Sequence, residues 1–195
     1  MLSCILLSAG ASTRFGSPKA LAEFGNTTVL GHILETLQLS EVPEIIIVLG
    51  AQAEEIKPVL LNHKTARIVY HKDHKFGQTS SFQAGLKEAS PDAQGFFLWP
   101  VDYPWVRPET VRALQAAFLR HPQQMCIPTF HAKKGHPPVF PAALKETLLG
   151  LAPDTGVHTV LQKQEKLNLL AVEDPGVRAT FNTPEEFELL KRDLF

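Results

Sequence analysis

Short apolar runs alternate along the chain with segments of helical period, and this alternation restricts the fold more than any other feature. The run from Ile45 to Leu49 is apolar at every position, as expected for a strand that helices cover on both faces. The pattern predicts strands over 2–7, 44–49, 66–70 and 95–99, and helices over 29–39, 53–61, 79–89 and 108–120. We therefore expect parallel strands joined by crossover helices.

The alternation changes after residue 130. Beyond an apolar run over 125–130, the segment 131–140 carries Lys133 and Lys134 between short extended stretches, which is typical of a hairpin with a basic tip. Near the C-terminus, Thr183 is suited to cap a helix that begins with Pro184. The complete expectation is an α/β three-layer sandwich with a mostly parallel, doubly wound (Rossmann-like) sheet and an antiparallel β-hairpin insertion.

Composition limits the class of protein. The chain has 195 residues, 44% of them hydrophobic, without a shift in composition, so we expect one domain over 1–195. A formal net charge of -1 argues against a broad surface for nucleic acid or membranes. Cys4 and Cys126 are expected to be buried free thiols. The first apolar run is too short for a signal peptide or spanning helix, so we expect a cytoplasmic protein.

A loop of small residues with two cations follows the first predicted strand. Most side chains of this loop are small and leave the backbone accessible, so that successive N–H groups can converge on anionic oxygens. Arg14 adds a planar donor fork and Lys19 a point charge, and as an exposed loop cation Lys19 is expected to add little to stability. We expect the loop to hold a nucleoside triphosphate, with catalytic roles for both cations and with contacts from Leu7, Ser8, Ala9, Gly10, Ala11, Ser12 and Gly16.

Two better-known phosphate-binding motifs do not match this loop. A P-loop needs four residues between its glycines, whereas five separate Gly10 from Gly16 and a proline precedes Lys19. A dinucleotide fingerprint needs a second glycine where Ser12 stands, and Pro18 delays any helix. The loop is therefore neither of these.

One carboxylate stands between two prolines where the fourth predicted strand ends. Asp102 lies in Pro-Val-Asp-Tyr-Pro, and in an open parallel sheet ligands collect at the carboxyl ends of strands. A hard divalent cation held by one or two carboxylates lowers the charge barrier to attack at an α-phosphorus. We expect Asp102 to bind Mg²⁺ and to be catalytic; a role only in capping a turn is the alternative.

The loop and the aspartate segment together resemble a known family. The spacing Leu-Ser-Ala-Gly-Ala-Ser-x-Arg-Phe-Gly-x-Pro-Lys-x-Leu, closing with Gly25, resembles the opening signature of the molybdenum-cofactor nucleotidyltransferase-like (MobA-like NTP transferase) proteins. Their metal-binding aspartate lies in a Pro-x-Asp-x-Pro-like segment, matched here at Asp102. The resemblance implies a magnesium-dependent transfer of NMP from CTP or GTP to a phosphorylated acceptor, closest to the molybdopterin cytidylyltransferase branch.

Two further segments resemble elements of the same family. The segment 77–86 looks like Gly-x-Ser-Ser-Ser-Leu-x-Ala-Gly-Leu, with hydroxyls gathered at a helix N-terminus. This implies nucleotide contacts from Gly77, Gln78, Ser80 and Ser81, although helix capping by Thr79 and Ser80 explains the hydroxyls equally well. The block 135–140 resembles Gly-His-Pro-x-x-Phe of the cytidylyltransferase-type members, which implies acceptor contacts from Gly135, His136 and Pro137, a plain turn being the alternative.

The last two segments that match the family also depart from it. Asp154 and His158 fall in a stretch like Gly-Asp-x-Gly-x-Arg on the acceptor side, with His158 where arginine is usual. Thr180 and Asn182 occupy both aspartate positions of an ending like Asp-x-Asp-Thr-Pro-Glu-Asp. Asn182 is the second metal ligand that the resemblance implies, and its amide oxygen supplies no neutralising charge.

The function expected from the sequence is a nucleotidyltransferase that couples an NTP, CTP by resemblance, to an acceptor such as molybdopterin and releases pyrophosphate. A partner enzyme that receives the cofactor is expected to bind transiently. Two alternatives stay open. One is a non-catalytic nucleotide-binding or cofactor-chaperoning protein, in which the missing aspartates mark lost chemistry. The other is a sugar-1-phosphate nucleotidyltransferase, which differs in its acceptor.

Overall fold

The computed structural model describes residues 1–60 and 66–194. The predicted helix over 53–61 is present up to Leu60, and its last residue lies outside the described part. The strands are β1 Leu2–Ser8, β2 Glu23–Phe24, β3 Thr27–Thr28, β4 Glu44–Leu49, β5 Ala66–Tyr70, β6 Gly95–Pro100, β7 Met125–Phe130, β8 Lys133–Lys134, β9 Val139–Pro141 and β10 Leu167–Ala171. The α-helices are α1 Val29–Leu39, α2 Ala53–Leu60, α3 Gln78–Glu88, α4 Pro108–Arg120, α5 Lys145–Leu149, α6 His158–Gln162 and α7 Pro184–Leu194.

The main sheet has the order β5, β4, β1, β6, β9, β7, β10. β1 lies between β4 and β6, runs parallel to both and is buried along its whole length. Helices α1, α2, α4 and α7 contribute to the hydrophobic cluster on one face of the sheet, and α3, α5 and α6 to the cluster on the other. The predicted three-layer α/β sandwich with a mostly parallel sheet is confirmed.

An antiparallel insertion interrupts the parallel sheet. β8 pairs antiparallel with β7 across a turn in which His131 and Ala132 have positive φ values of 47 and 60°. β9 then runs antiparallel between β6 and β7. The predicted antiparallel insertion is confirmed, but its hairpin is formed by β7 and β8, and Lys133 and Lys134 lie exposed on β8 next to the turn rather than at its tip. A second small hairpin, β2 with β3, was not predicted.

The ends of two helices follow the sequence signals. Thr183 accepts a hydrogen bond from the Glu186 N–H at 3.3 Å, as expected of a capping residue at the start of α7. α3 begins one residue earlier than predicted, after Gly77 with a φ of 93°, and no side chain caps it. Thr79 and Ser80 therefore do not cap this helix, and their hydroxyls donate to backbone carbonyl groups instead.

The two cysteines are buried free thiols, as expected. Burial raises the pKa of the Cys126 thiol to about 11 and raises that of Cys4 as well. Every helix in the described part of the chain is too short or too polar to cross a membrane.

Asp174 is buried and joins α4 to the short 3-10 turn Pro175–Val177. One carboxylate oxygen accepts from the Arg107 N–H at 2.9 Å and the Thr110 hydroxyl at 2.6 Å, and the other accepts from the Gly176 N–H at 2.9 Å.

Replacing Asp174 with alanine leaves these donors unsatisfied and is expected to lower the free energy of unfolding by about 2–3 kcal/mol. Urea unfolding measures this, with the exposed Asp92→Ala as the matched control; equal midpoints for both variants would contradict the role of Asp174.

Candidate active site

A cleft of about 290 Å³ opens at the carboxyl ends of β1, β4 and β6. Its lining comes from the loop after β1, the loop after β4, the segment after β6, the start of α3 and Asn182 before α7. This is the edge at which an open parallel sheet collects ligands, because the connecting loops converge there. We call it the first cavity.

The loop after β1 has a defined conformation. Ser12 has a φ of 51°, and its carbonyl accepts from the N–H groups of Phe15 at 2.9 Å and Gly16 at 3.1 Å. The Phe15 ring is buried against Phe181, with centroids 5.4 Å apart, and so anchors the loop on the core. A loop held in this way presents Arg14 to the cleft without having to order on binding.

Lys19 crosses the cleft to the segment before α7. Its ammonium donates to the Phe181 carbonyl at 2.6 Å and to the Asn182 amide oxygen at 3.1 Å, and lies 3.6 Å from Asp102. The side chain is only 12% exposed, so the expectation of an exposed cation was wrong: the segment 181–182 covers it. Burial lowers the pKa of Lys19, and the Asp102 carboxylate acts in the opposite direction.

Asn182 lies between the two cations of the loop. Arg14 donates to the Asn182 amide oxygen at 3.0 Å, and Lys19 donates to the same atom. The amide thus holds both cations in place without neutralising them. The negative charge nearest to the Lys19 ammonium is that of Asp102, at 3.6 Å.

A second cavity of about 380 Å³ lies beside the first, and Gln78 lines both. Its walls are largely apolar, and the rings of Tyr103 and His136 stack on one another with centroids 4.4 Å apart. Burial lowers the pKa of His136 and raises that of Tyr103. The apolar lining is formed by Leu98, Met125, Ile127, Pro138, Phe140, Val157, Leu161 and Val177.

The structure brings most of the predicted residues to these two cavities. Arg14, Lys19, Asp102 and Asn182 line the first cavity, together with Leu7, Ser8, Ala9, Gly10, Ser12, Gly77, Gln78 and Ser81. Ala11, Gly16 and Ser80 were predicted to touch the nucleotide but do not line it. Gly135, His136 and His158 line the second cavity, whereas Pro137 lines neither and Asp154 is exposed outside both.

Three hydroxyls near the start of α3 bond to carbonyl groups. Thr79 donates to the Thr155 carbonyl at 2.7 Å and so ties α3 to the segment before α6. Ser80 and Ser81 both donate to the Gly77 carbonyl, at 3.0 and 3.1 Å. Since these hydroxyls donate to carbonyl groups and no side chain accepts from the first N–H groups of α3, those N–H groups stay available to an anion.

Sequence reasoning missed several lining residues. Gln52 and His74 follow β4 and β5 and line the first cavity. Ligands collect at the carboxyl ends of parallel strands, so the reasoning that pointed to the loops after β1 and β6 applies to these two loops as well. Lys134 and Arg178 line the second cavity, and no local signal in the sequence marks Arg178. Arg178 reaches the cavity only because its turn packs on the hairpin.

The oxygen donors of the first cavity suit a hard divalent cation. Asp102 offers one carboxylate that is 26% exposed, whereas the Asn182 amide oxygen already accepts from Arg14 and Lys19. Magnesium is bound by one or two protein oxygens together with phosphate oxygens and water, so this sparse donor set fits it. Within the described residues, no three His, Cys, Asp or Glu side chains gather as a metal cluster.

The sequence is similar to those of two proteins with known names. The sequence is 28% identical over 193 residues to the nicotine blue oxidoreductase of Paenarthrobacter nicotinovorans, covering 93% of this chain and 92% of that protein. It is 33% identical over 116 residues to the probable molybdenum cofactor guanylyltransferase of Geobacillus sp. (strain WCH70), covering 56% of this chain and 54% of that protein.

Solved structures show the same fold over almost the whole chain. The crystal structure of Rv0371c from Mycobacterium tuberculosis H37Rv superposes with a TM-score of 0.88 at 26% identity, covering 98% of this chain and 97% of that one. Its complex with manganese superposes with a TM-score of 0.84 at 25% identity, covering 98% of both chains. The profile of the MobA-like NTP transferase domain matches residues 4–167. The chain therefore belongs to the MobA-like NTP transferase family and is a nucleotidyltransferase.

Proposed function

We propose that this enzyme transfers the NMP group of CTP to a phosphorylated acceptor such as molybdopterin, with release of pyrophosphate and with Mg²⁺ as its cofactor. The observation that carries the proposal is that Arg14, Lys19 and Asp102 share one cavity, which meets a second cavity at Gln78. A donor nucleotide and an acceptor can therefore lie side by side. The manganese complex of Rv0371c supports a divalent metal in this fold.

Each group has a role that follows from its position. Arg14 and Lys19 hold the β- and γ-phosphates and stabilise the charge that builds up on the leaving pyrophosphate. Asp102 holds the metal, which neutralises phosphate charge when bound. An acceptor phosphate oxygen attacks the α-phosphorus in line, a new phosphorus–oxygen bond forms, and the bond to the bridging oxygen of pyrophosphate breaks. Positioning and electrostatics supply the rate, so no protein nucleophile is needed.

The choice of CTP and molybdopterin rests on the resemblance of segments 77–86 and 135–140 to the cytidylyl branch. The Geobacillus relative is a probable guanylyltransferase, so GTP is the nucleotide to compare with CTP. The apolar walls and stacked rings of the second cavity suit a flat heterocyclic acceptor better than a sugar phosphate.

The test is an assay of pyrophosphate release with the purified chain. Each of the four NTPs is incubated with Mg²⁺ or Mn²⁺ and with molybdopterin or a sugar 1-phosphate, and the conjugate is identified by mass. We expect release with CTP and molybdopterin. Pyrophosphate from no combination, together with NTP binding that is indifferent to the metal, would instead support a non-catalytic nucleotide-binding protein, which the asparagine at 182 and the threonine at 180 favour.

A second candidate function comes from a match over nearly the whole chain. Nicotine blue oxidoreductase aligns with nearly the whole chain, and its name denotes a redox reaction. The same assay series therefore includes NADH and NADPH as ligands in isothermal titration. Binding of either, and of no NTP, would favour this candidate over nucleotidyl transfer.

Replacing Asn182 with aspartate is expected to strengthen metal binding several-fold, because a carboxylate adds the negative charge that the amide lacks. The measurement is a Mn²⁺ titration followed by electron paramagnetic resonance, with a non-hydrolysable CTP analogue present. Asn26→Asp adds the same charge on the exposed turn between β2 and β3 and serves as the control. An unchanged affinity in Asn182→Asp would show that this side chain does not contact the metal.

A further inference from the structure

The charged residues of the second cavity carry one sign. These residues are Lys134 and Arg178, and no Asp or Glu stands among its described lining residues. Position 180, where the family resemblance implies a carboxylate, carries an uncharged threonine that lines the cavity. A cavity with apolar walls and a cationic rim selects a ligand with a flat apolar body and an anionic group.

The position of Arg178 depends on two glycines. A Cβ at Gly176 would lie 2.1 Å from the Trp105 carbonyl oxygen, and a Cβ at Gly135 would lie 2.4 Å from that of Val177. Both close approaches require glycine. The approach at Gly176 packs the turn Pro175–Val177 on the Trp105 backbone, and the approach at Gly135 packs it on the hairpin, where the His136 N–H donates to the Val177 carbonyl at 2.8 Å.

The guanidinium of Arg178 is then held on the hairpin. The side-chain Nη1 donates to the Lys134 carbonyl at 2.7 Å, and the backbone N–H of Arg178 donates to the Pro175 carbonyl at 2.9 Å. Arginine has five side-chain N–H donors in a planar fork, so this one hydrogen bond leaves the fork able to take a phosphate with two donors. The side chain is thus oriented at the mouth of the cavity before any ligand arrives.

We propose that Arg178 holds the anionic group of the acceptor and determines specificity for a phosphorylated aromatic or heterocyclic acceptor. Arg178 then supplies the fixed charge that is missing at position 158, where histidine stands in place of the usual arginine. The proposal rests on the proposed function only in calling the ligand an acceptor. The anion-binding role itself is tested without nucleotide, metal or turnover.

The experiment is isothermal titration of the apo protein with 1-naphthyl phosphate and, separately, with 1-naphthol. We expect Arg178→Ala to weaken binding of the phosphate at least about tenfold, and Arg178→Lys to weaken it less, because lysine keeps the charge but loses the fork. Binding of 1-naphthol is expected to be unchanged, which also shows that the cavity is intact. Arg192→Ala, an exposed substitution on α7, is the matched control.

Three results would overturn the proposal. The first is equal affinity of Arg178→Ala and the wild type for 1-naphthyl phosphate, and the second is no binding of this probe by the wild type. The third is a loss of binding in Lys19→Ala as large as in Arg178→Ala, which would place the probe in the first cavity. If binding depends on Arg178 but no pyrophosphate is ever released, the proposed function fails while the anion-binding role stands.

Discussion

Replacing Lys19 with alanine is expected to lower kcat by about 10²–10³-fold, the loss typical of removing one preorganised donor to a developing anion. The ammonium lies where it reaches Asn182 and Asp102 at once, inside the cavity shared with Arg14. Pyrophosphate release under saturating NTP and acceptor measures the effect. Lys163→Ala, an exposed lysine that lines neither cavity, is the matched control and is expected to keep wild-type activity.

The same variant also loses a hydrogen bond to the core. Because the Lys19 ammonium donates to the Phe181 carbonyl at 2.6 Å, we expect the free energy of unfolding to fall by about 1 kcal/mol. Lys19→Met keeps the length of the side chain and removes only the charge, so it separates packing from catalysis. Wild-type turnover in Lys19→Met would remove Lys19 from the catalytic groups.

In the proposed function Asp102 is the one carboxylate that holds the metal. Replacing Asp102 with asparagine is therefore expected to lower kcat by about 10²-fold, which corresponds to roughly 3 kcal/mol of charge stabilisation in the transition state. The amide is isosteric, so folding is expected to be unaffected. The measurement is turnover across a Mg²⁺ titration, with Asp92→Asn as the control on an exposed turn. A rate that excess Mg²⁺ fully restores would assign Asp102 to metal affinity alone.

Asp102→Asn is also expected to change the pH dependence. Burial lowers the pKa of Lys19 and Asp102 raises it, so loss of the carboxylate lowers this pKa further. Lys19 must be protonated to stabilise phosphate charge, and activity is therefore lost as pH rises through its pKa. In the variant the alkaline limb of the pH–rate profile is expected to begin at lower pH, and an unmoved limb would contradict the coupling of the two side chains.

Periodicity and local motifs predicted most of the fold and much of the site. The strand β4 and the helices α1 and α4 have the predicted bounds, because their apolar spacing, and for β4 and α4 the proline at their start, act within a few residues. Because ligands collect at the carboxyl ends of parallel strands, the sequence placed the loop after β1 and Asp102 at one edge of the sheet, and both line the first cavity. The same rule also covered Gln52 and His74, which the motifs did not single out.

Local sequence was sufficient for the α/β class, the antiparallel insertion and the cation-bearing loop, because each depends on neighbours along the chain. Contacts between distant segments set the rest. The segment 181–182 buries Lys19 and joins Asn182 to both cations, and the close approaches at Gly135 and Gly176 bring Arg178 to the second cavity. These contacts join segments that are far apart in the sequence, and the spacing of residues along the chain does not predict which distant segments meet in the folded molecule.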